Sequence, residues 1–365
     1  MSYLSQIPLS AYTALSVSFA FSVLIVLTSR WHGHHSFDYS HGVQKVHSNP
    51  TPRIGGVAIV IGLICAYGVA RPERKMLLGP VLLAGIPAFI FGFWEDITNK
   101  VSVRARLLAT MTSGVLGYYI TGYSITRLGI PGVDHVLSVV AISLFFTAFA
   151  IGGVANALNI IDGANGLASG FSVIAFLGFT ALALRVGDVN LAYVSLTLAA
   201  AIAGFFLVNW PFGKLFLGDG GSYVSGFCLA WVAVLLVERN FTVSPFAVLL
   251  VCLYPVVEVL FSMYRRRKRS MHPGHPDRHH LHSLVMVRYM MKLMPQGFYN
   301  SATGICMAGF GVPSALWAYW AMESTLLSVL GIGLFILGYV AVYGRIVCFR
   351  PCLPWKLLFV HAKHR

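Results

Sequence analysis

Apolar runs of membrane-spanning length follow one another from residue 10 to residue 344, and nothing else in the chain limits its fold as strongly. A helix needs about 20 mostly apolar residues to cross the hydrocarbon core of a bilayer. Runs near that length fall at 10–29, 54–70, 77–94, 105–122, 134–152, 166–184, 189–208, 220–237, 244–262, 300–321 and 325–344. The expectation is an all-α polytopic membrane protein with about 11 transmembrane helices. The run at 54–70 is short enough to tilt or to dip only part of the way across. Of the 365 residues, 57% are hydrophobic and only 10% charged, too little polar surface for a soluble chain of this length.

A net charge of +14 would ordinarily raise nucleic acid as a partner. Here the 26 Lys and Arg residues lie between apolar runs, so they read as topology signals and phosphate contacts, and no nucleic acid is expected. Twenty of them fall in the loops near 30–53, 95–106, 209–219 and 263–299 and in the tail at 345–365. The other six are Arg71, Arg74, Lys75, Arg127, Arg185 and Arg239. Basic loops stay in the cytoplasm, which puts the N-terminus outside and the C-terminus inside. The stretch "RPERK" at 71–75 runs against this rule. Residues 1–365 read as a single membrane domain, with 263–299 a basic, His-rich cytoplasmic loop and 345–365 a basic cytoplasmic tail. No cleavable signal peptide is expected, because the first apolar run lacks a basic leader. Cys65, Cys228, Cys252 and Cys306 sit in apolar runs and read as small core residues, while Cys348 and Cys352 have no His nearby in sequence.

The unusual polar stretches all fall on the predicted cytoplasmic side: "HSNPTPRIGG", "WEDITNKVSVRAR", "NALNIIDGANGL", "NWPFGKLFLGDGGS" and "HPGHPDRHHLHS". Glu95 and Asp96 are adjacent at a helix end, where two carboxylates repel unless a cation or a shared proton relieves them; a solvated helix end is the plainer account. Asp219 lies in a glycine-rich turn that opens a helix, suited to holding a divalent metal or simply to capping that helix. Asn156, Asn159, Asp162 and Asn165 crowd into one short stretch, and the last three recur every third residue along one helix face. Amides that donate and accept suit a nucleobase edge or a sugar, although capping and close helix packing account for part of the pattern. Arg265 to Arg269 anchor on anionic lipid. Arg278, His280 and His282, in a Pro-containing loop, suit diphosphate contacts. Zinc is a rival ligand for the histidines, but the oxygen donors of the other stretches suit a hard ion such as Mg²⁺.

These five stretches, in this order from about residue 50 to 284, resemble the polyprenyl-phosphate N-acetylhexosamine-1-phosphate transferases, and "YPVVEVLFSMYRR" with "PDRHHLHSL" is similar to their GlcNAc-type branch. The resemblance implies a multi-pass enzyme of the bacterial inner membrane with its active site in the cytoplasm. Such an enzyme moves a phospho-sugar from UDP-N-acetylhexosamine to undecaprenyl phosphate and releases UMP. It implies Mg²⁺, with Mn²⁺ as an alternative hard ion, and leaves a homodimer open. Carried over by position, Asp219 and Asn159 would hold the metal, and Asp162 and Asn165 would line the nucleoside end, with Asn156 a further substrate-binding residue. Arg278, His280 and His282 would meet diphosphate and sugar, while Glu95 and Asp96 would position or deprotonate the lipid phosphate. Two departures stand out: the family's first paired aspartate is Glu95 here, and His280-Leu281-His282-Ser283 lacks the family's final histidine.

A membrane transporter or binding protein for lipid-linked sugars or metal ions is the competing class. It would need polar groups at mid-membrane, and Glu258 is the one carboxylate that falls well inside a run.

Overall fold

Proline decides how several of the long runs become helices. The computed structural model describes residues 7–38, 50–268 and 279–348. Its unbroken helices begin with α1 (Leu9–Leu27) and α2 (Gly55–Val69). The run at 77–94 then forms two helices, α3 (Pro72–Ala84) and α4 (Ile86–Thr98), bent by 44° at Gly85. After α5 (Val103–Thr121), α6 (Val140–Ile161), α7 (Leu167–Arg185), α8 (Val189–Asn209) and α9 (Gly218–Arg239), the run at 244–262 splits in the same way. It gives α10 (Pro245–Val251) and α11 (Leu253–Lys268), bent by 81°. The run at 300–321 becomes α13 (Tyr299–Ala308) and α14 (Gly311–Ala321), preceded by the short α12 (Leu281–Val285) and followed by α15 (Thr325–Val347). In each split the second helix carries a proline in its first turn: Pro87, Pro255 and Pro313. A proline there has no N–H to complete the helix before it, but its fixed φ suits a new helix start.

The fold is all-α, as expected, and its only described strand pairing is the two-residue ladder of Phe37–Asp38 with Thr51–Pro52. The expected count of about 11 spans meets a smaller number. Among the described residues six helices are long and apolar enough to cross a membrane, or eight if each bent pair is one span. The difference lies in α2, which has 15 residues, in α5, which carries Arg104 and Arg106 in its first turn, and in the broken α13–α14 stretch.

The centre is α9, 94% of whose apolar window is buried, whereas α15 at the periphery is 17% buried. Backbone-to-backbone packing makes this possible. A Cβ on Gly92 of α4 would stand 2.6 Å from the Asp219 carbonyl oxygen, so only glycine lets α4 lie against the start of α9. The N-terminus of α2 docks beside it, with Gly55 N and Gly56 N donating to the carbonyls of Phe216 and Leu217, both at 3.0 Å. The ends of α4 and α6 and the starts of α2 and α9 therefore meet at one end of the bundle. At the other end Arg239 pairs with Asp188 at 2.7 Å.

Candidate active site

A helix begins with backbone N–H groups that have no partner in their own helix. At the start of α9 those groups are met from another helix. Asp219 N and Gly220 N donate to the two carboxylate oxygens of Asp96, at 2.8 and 2.9 Å. Gly218 precedes them at φ +74°, and a Cβ there would strike the Arg53 carbonyl and the Asp96 carboxylate. Arg53 holds Asp96 from the far side, its Nε 3.4 Å from Oδ1, and its guanidinium also donates to the carbonyls of Glu95 and Asp96 at 2.8 and 3.1 Å. Asp96 is thus a buried carboxylate that both caps α9 and fixes the placement of Asp219.

The Asp219 side chain is held by two other helices. Ser102 caps α5 by accepting from Ala105 N at 3.2 Å, and Arg106 in that first turn pairs with Asp219 Oδ2. Asn159, in the last turn of α6, donates from Nδ2 to Asp219 Oδ1 and to Ser222 Oγ, each at 2.9 Å. Its own Oδ1 accepts from the Tyr223 hydroxyl at 3.2 Å. Asp162 ends α6; burial, and then the Asp219 carboxylate nearby, push its carboxyl up to about 7.

The turn after Asp162 is tied down by amides. Asn165 N donates to Asn300 Oδ1 at 3.0 Å, its Nδ2 reaches Ser301 Oγ at 3.2 Å, and Gly166 N donates to Asn209 Oδ1 at 2.6 Å. Together these elements enclose a cavity of about 240 Å³ lined by Asp38, Arg53, Asp96, Asp162, Asn165, Asn209, Asp219 and Asn300. Such a site combines carboxylate oxygens with a guanidinium and several amides, the donor set for a hard cation beside a diphosphate and a polar ring. Among the described residues, no group of three or more His, Cys, Asp or Glu side chains is arranged to hold a metal on its own.

Of the residues singled out from the sequence, Asp96, Asp162, Asn165 and Asp219 meet at this cavity, with Asn159 directly behind Asp219. Glu95 does not line it. Its Oε2 accepts from Val101 N at 2.7 Å and pins the turn that follows α4. Consecutive helical residues point about 100° apart, which separates Glu95 from its neighbour. Asn156 also stays outside, donating to the Gly152 carbonyl at 2.7 Å and to Thr110 Oγ1 at 3.4 Å. His280 and His282 are buried beside the cavity rather than in its wall. His280 Nδ1 lies 3.0 Å from Glu258 Oε1, and Tyr339 donates to Glu258 Oε2 at 2.8 Å. The two imidazoles stack in parallel 5.5 Å apart, and the His282 ring abuts Gly163, a cavity residue. Burial pushes His282 down to about 4 and keeps it neutral. Arg278, with His272 and His275, lies outside the described residues.

Sequence reasoning missed Arg53, Asn209 and Asn300 as site residues and treated Arg106 as a topology signal only. Arg53 stood in a quoted polar stretch ahead of Gly55-Gly56, so a signal was present. Asn209 opens the quoted stretch "NWPFGKLFLGDGGS" and so carried the same signal, whereas Asn300 sits at the start of an apolar run and nothing local marks it.

Fold and site define a multi-pass membrane protein with an acidic, amide-rich cavity at one end of its helical bundle. Residues 78–237 match the family described as Glycosyl transferase family 4. The chain is 27% identical over 301 residues to the undecaprenyl-phosphate alpha-N-acetylglucosaminyl 1-phosphate transferase of Salmonella typhi, covering 81% of each chain. Proteins of the same name from Escherichia coli and Yersinia pestis are each 27% identical, over 251 and 248 residues, with 67% of each chain covered. These likenesses support the resemblance that the chain's motifs carry to the polyprenyl-phosphate N-acetylhexosamine-1-phosphate transferases.

Proposed function

We propose that this protein transfers a phospho-N-acetylhexosamine from a UDP-sugar to undecaprenyl phosphate, releasing UMP as the first membrane step of a cell-surface glycan such as O-antigen. One observation carries the reading: Asp96, Asp162 and Asp219 converge on a single cavity at one end of the bundle, beside Arg53. An oxygen of the lipid phosphate would attack the sugar-bearing phosphorus, and the bond from that phosphorus to UMP would break. Arg53 and Arg106 supply guanidinium charge for the diphosphate. Asp96 holds Asp219 and the start of α9 in place, and the amides of Asn165 and Asn300 offer donors and acceptors to the nucleoside or the sugar. The lipid tail stays in the bilayer, which a site at the membrane surface permits.

Mg²⁺ fits the residues present. The Asp162 carboxyl is lifted by its surroundings and by Asp219, and a divalent cation would relieve that crowding. Asp219, with Asn159 beside it, would hold the ion, Mn²⁺ being the alternative. When bound it would neutralise charge on the diphosphate and on departing UMP. Asn159 would turn its amide oxygen toward the ion, giving up the bonds that its Nδ2 donates to Asp219 and Ser222. On this reading the cavity faces the cytoplasm, the N-terminus lies outside, and α2, α5 and the α13–α14 pair complete a set of about 11 spans. The support is the uneven division of the 26 basic residues.

The test is purified protein with Mg²⁺, undecaprenyl phosphate and a panel of UDP-N-acetylhexosamines, reading UMP. Release that requires both lipid and donor is the expected result; release without the lipid, or none with any donor, would contradict the reading.

A further inference from the structure

The stretch Arg71–Lys75 breaks the charge rule that the rest of the chain obeys, and the proposed reaction makes no use of it. It lies at the end of the bundle away from the candidate active site. The start of α2 touches Phe216 and Leu217 beside that site, and α2 then runs 15 residues away from it to Val69. At about 1.5 Å per residue this carries the chain some 20 Å, most of the way across a bilayer's hydrocarbon core. Tyr193, which meets Arg74 there, sits in the first turns of α8, the helix that ends at the site with Asn209.

Three cations gather at this rim, and no carboxylate satisfies them. Among the described residues none of Arg71, Arg74 and Lys75 forms an ion pair, although Glu73 shares their turn. Two are pre-arranged by aromatic rings: Arg74 lies over Tyr193 at 4.1 Å and Lys75 over Tyr67 at 5.5 Å. The Arg74 Nε is shielded from solvent and has no hydrogen-bond partner. Tyr67, the ring that Lys75 lies over, also lines with Gly79 a cavity of about 310 Å³. Its walls are apolar, and exposed Ile64, Leu83 and Ile86 open it sideways toward the bilayer. A cationic rim above an apolar, laterally open cavity matches one kind of molecule, an anionic headgroup with an acyl chain attached.

We propose that this rim and cavity form a binding site for an anionic diacyl phospholipid in the leaflet opposite the active site, the headgroup on Arg71, Arg74 and Lys75 and one acyl chain in the cavity. The site also explains why a basic loop is retained where basic loops are otherwise scarce.

Native mass spectrometry of the full-length protein in detergent tests this, with dioleoyl-phosphatidylglycerol or dioleoyl-phosphatidylcholine added at equal concentration. The wild type should retain the anionic lipid in preference. Arg74→Ala should lower that retention about fivefold, since one basic residue near a lipid headgroup is worth about 1 kcal/mol. The combined change Arg71→Ala, Arg74→Ala, Lys75→Ala should erase the preference, and lipid held elsewhere cancels in the comparison. Leu83→Trp fills the cavity from its bilayer side with every charge intact, and it should also reduce retention. The proposal is overturned if the triple variant keeps the wild-type preference. It is equally overturned if Leu83→Trp leaves retention unchanged, which would mean surface attraction alone, or if millimolar inorganic phosphate displaces the lipid, which would mean a free-anion site.

Discussion

Asp96 and Glu95 are neighbours in the chain with opposite duties. Both Asp96 oxygens are occupied by backbone donors of α9. Asp96→Asn would turn an NH₂ group against one of those N–H donors, and losing such a cap costs about 1–2 kcal/mol. The expected outcome is a lowered thermal midpoint and loss of most transfer, with little change in the Mg²⁺ concentration needed for half-maximal rate. A large rise in that concentration would make Asp96 a metal ligand instead. Glu95→Asp should keep substantial activity, because it preserves the carboxylate that accepts from Val101 N and faces the Arg106 guanidinium. His282 has a different signature. It is neutral when folded, near 4, against an ordinary value near 6.5, so the unfolded chain binds the extra proton first. Stability from this residue is intact above pH 6.5 and is lost as pH falls from 6.5 toward 4, by up to about 3 kcal/mol. Thermal midpoints of wild type and His282→Gln between pH 7.5 and 4.5 check it: the wild type should fall further, and parallel curves would show that His282 is not buried as described. Asp219 was legible from sequence because a glycine-rich turn with one carboxylate is a local pattern. Arg53 stood in a marked polar stretch, but its partner Asp96 lies 43 residues away; Asn300 carried no local mark, and the residue it holds lies 135 away.

Among the elements, the α4–α9 contact decides whether the site exists. Gly92→Ala places a methyl group against the Asp219 carbonyl, and forced overpacking of this kind costs about 1–3 kcal/mol. Because the strain falls on the turn that holds Asp219, the variant should insert normally yet lose most of its transfer rate. Measuring membrane-inserted protein and turnover together separates the two effects; near-normal turnover would show that α4 can withdraw without moving the site. The apolar runs marked where helices lie, since bilayer length is a strong constraint. They did not mark the breaks, although Pro87, Pro255 and Pro313 were in plain view. Hydropathy averages over a window, while a proline acts on one hydrogen bond.

For the whole molecule, the charge distribution and the placement of polar ends agree. α2, α4, α6 and α9 bring their polar termini to one end, the side to which the topology expected from the sequence assigns most Lys and Arg residues. If that end is cytoplasmic, a Lys100→Cys variant should resist an impermeant thiol reagent in intact cells and react once the membrane is opened. Labelling in intact cells, above the background of the native cysteines, would invert the topology. The central claim concerns which bond breaks, and the most direct measurement follows phosphorus. UDP-N-acetylhexosamine labelled on its β-phosphate is given to the purified protein with undecaprenyl phosphate and Mg²⁺. The account predicts β-label in the lipid product and unlabelled UMP in solution, with both absent in Asp219→Ala. Label that leaves as UDP would show transfer of the sugar alone and would contradict the account.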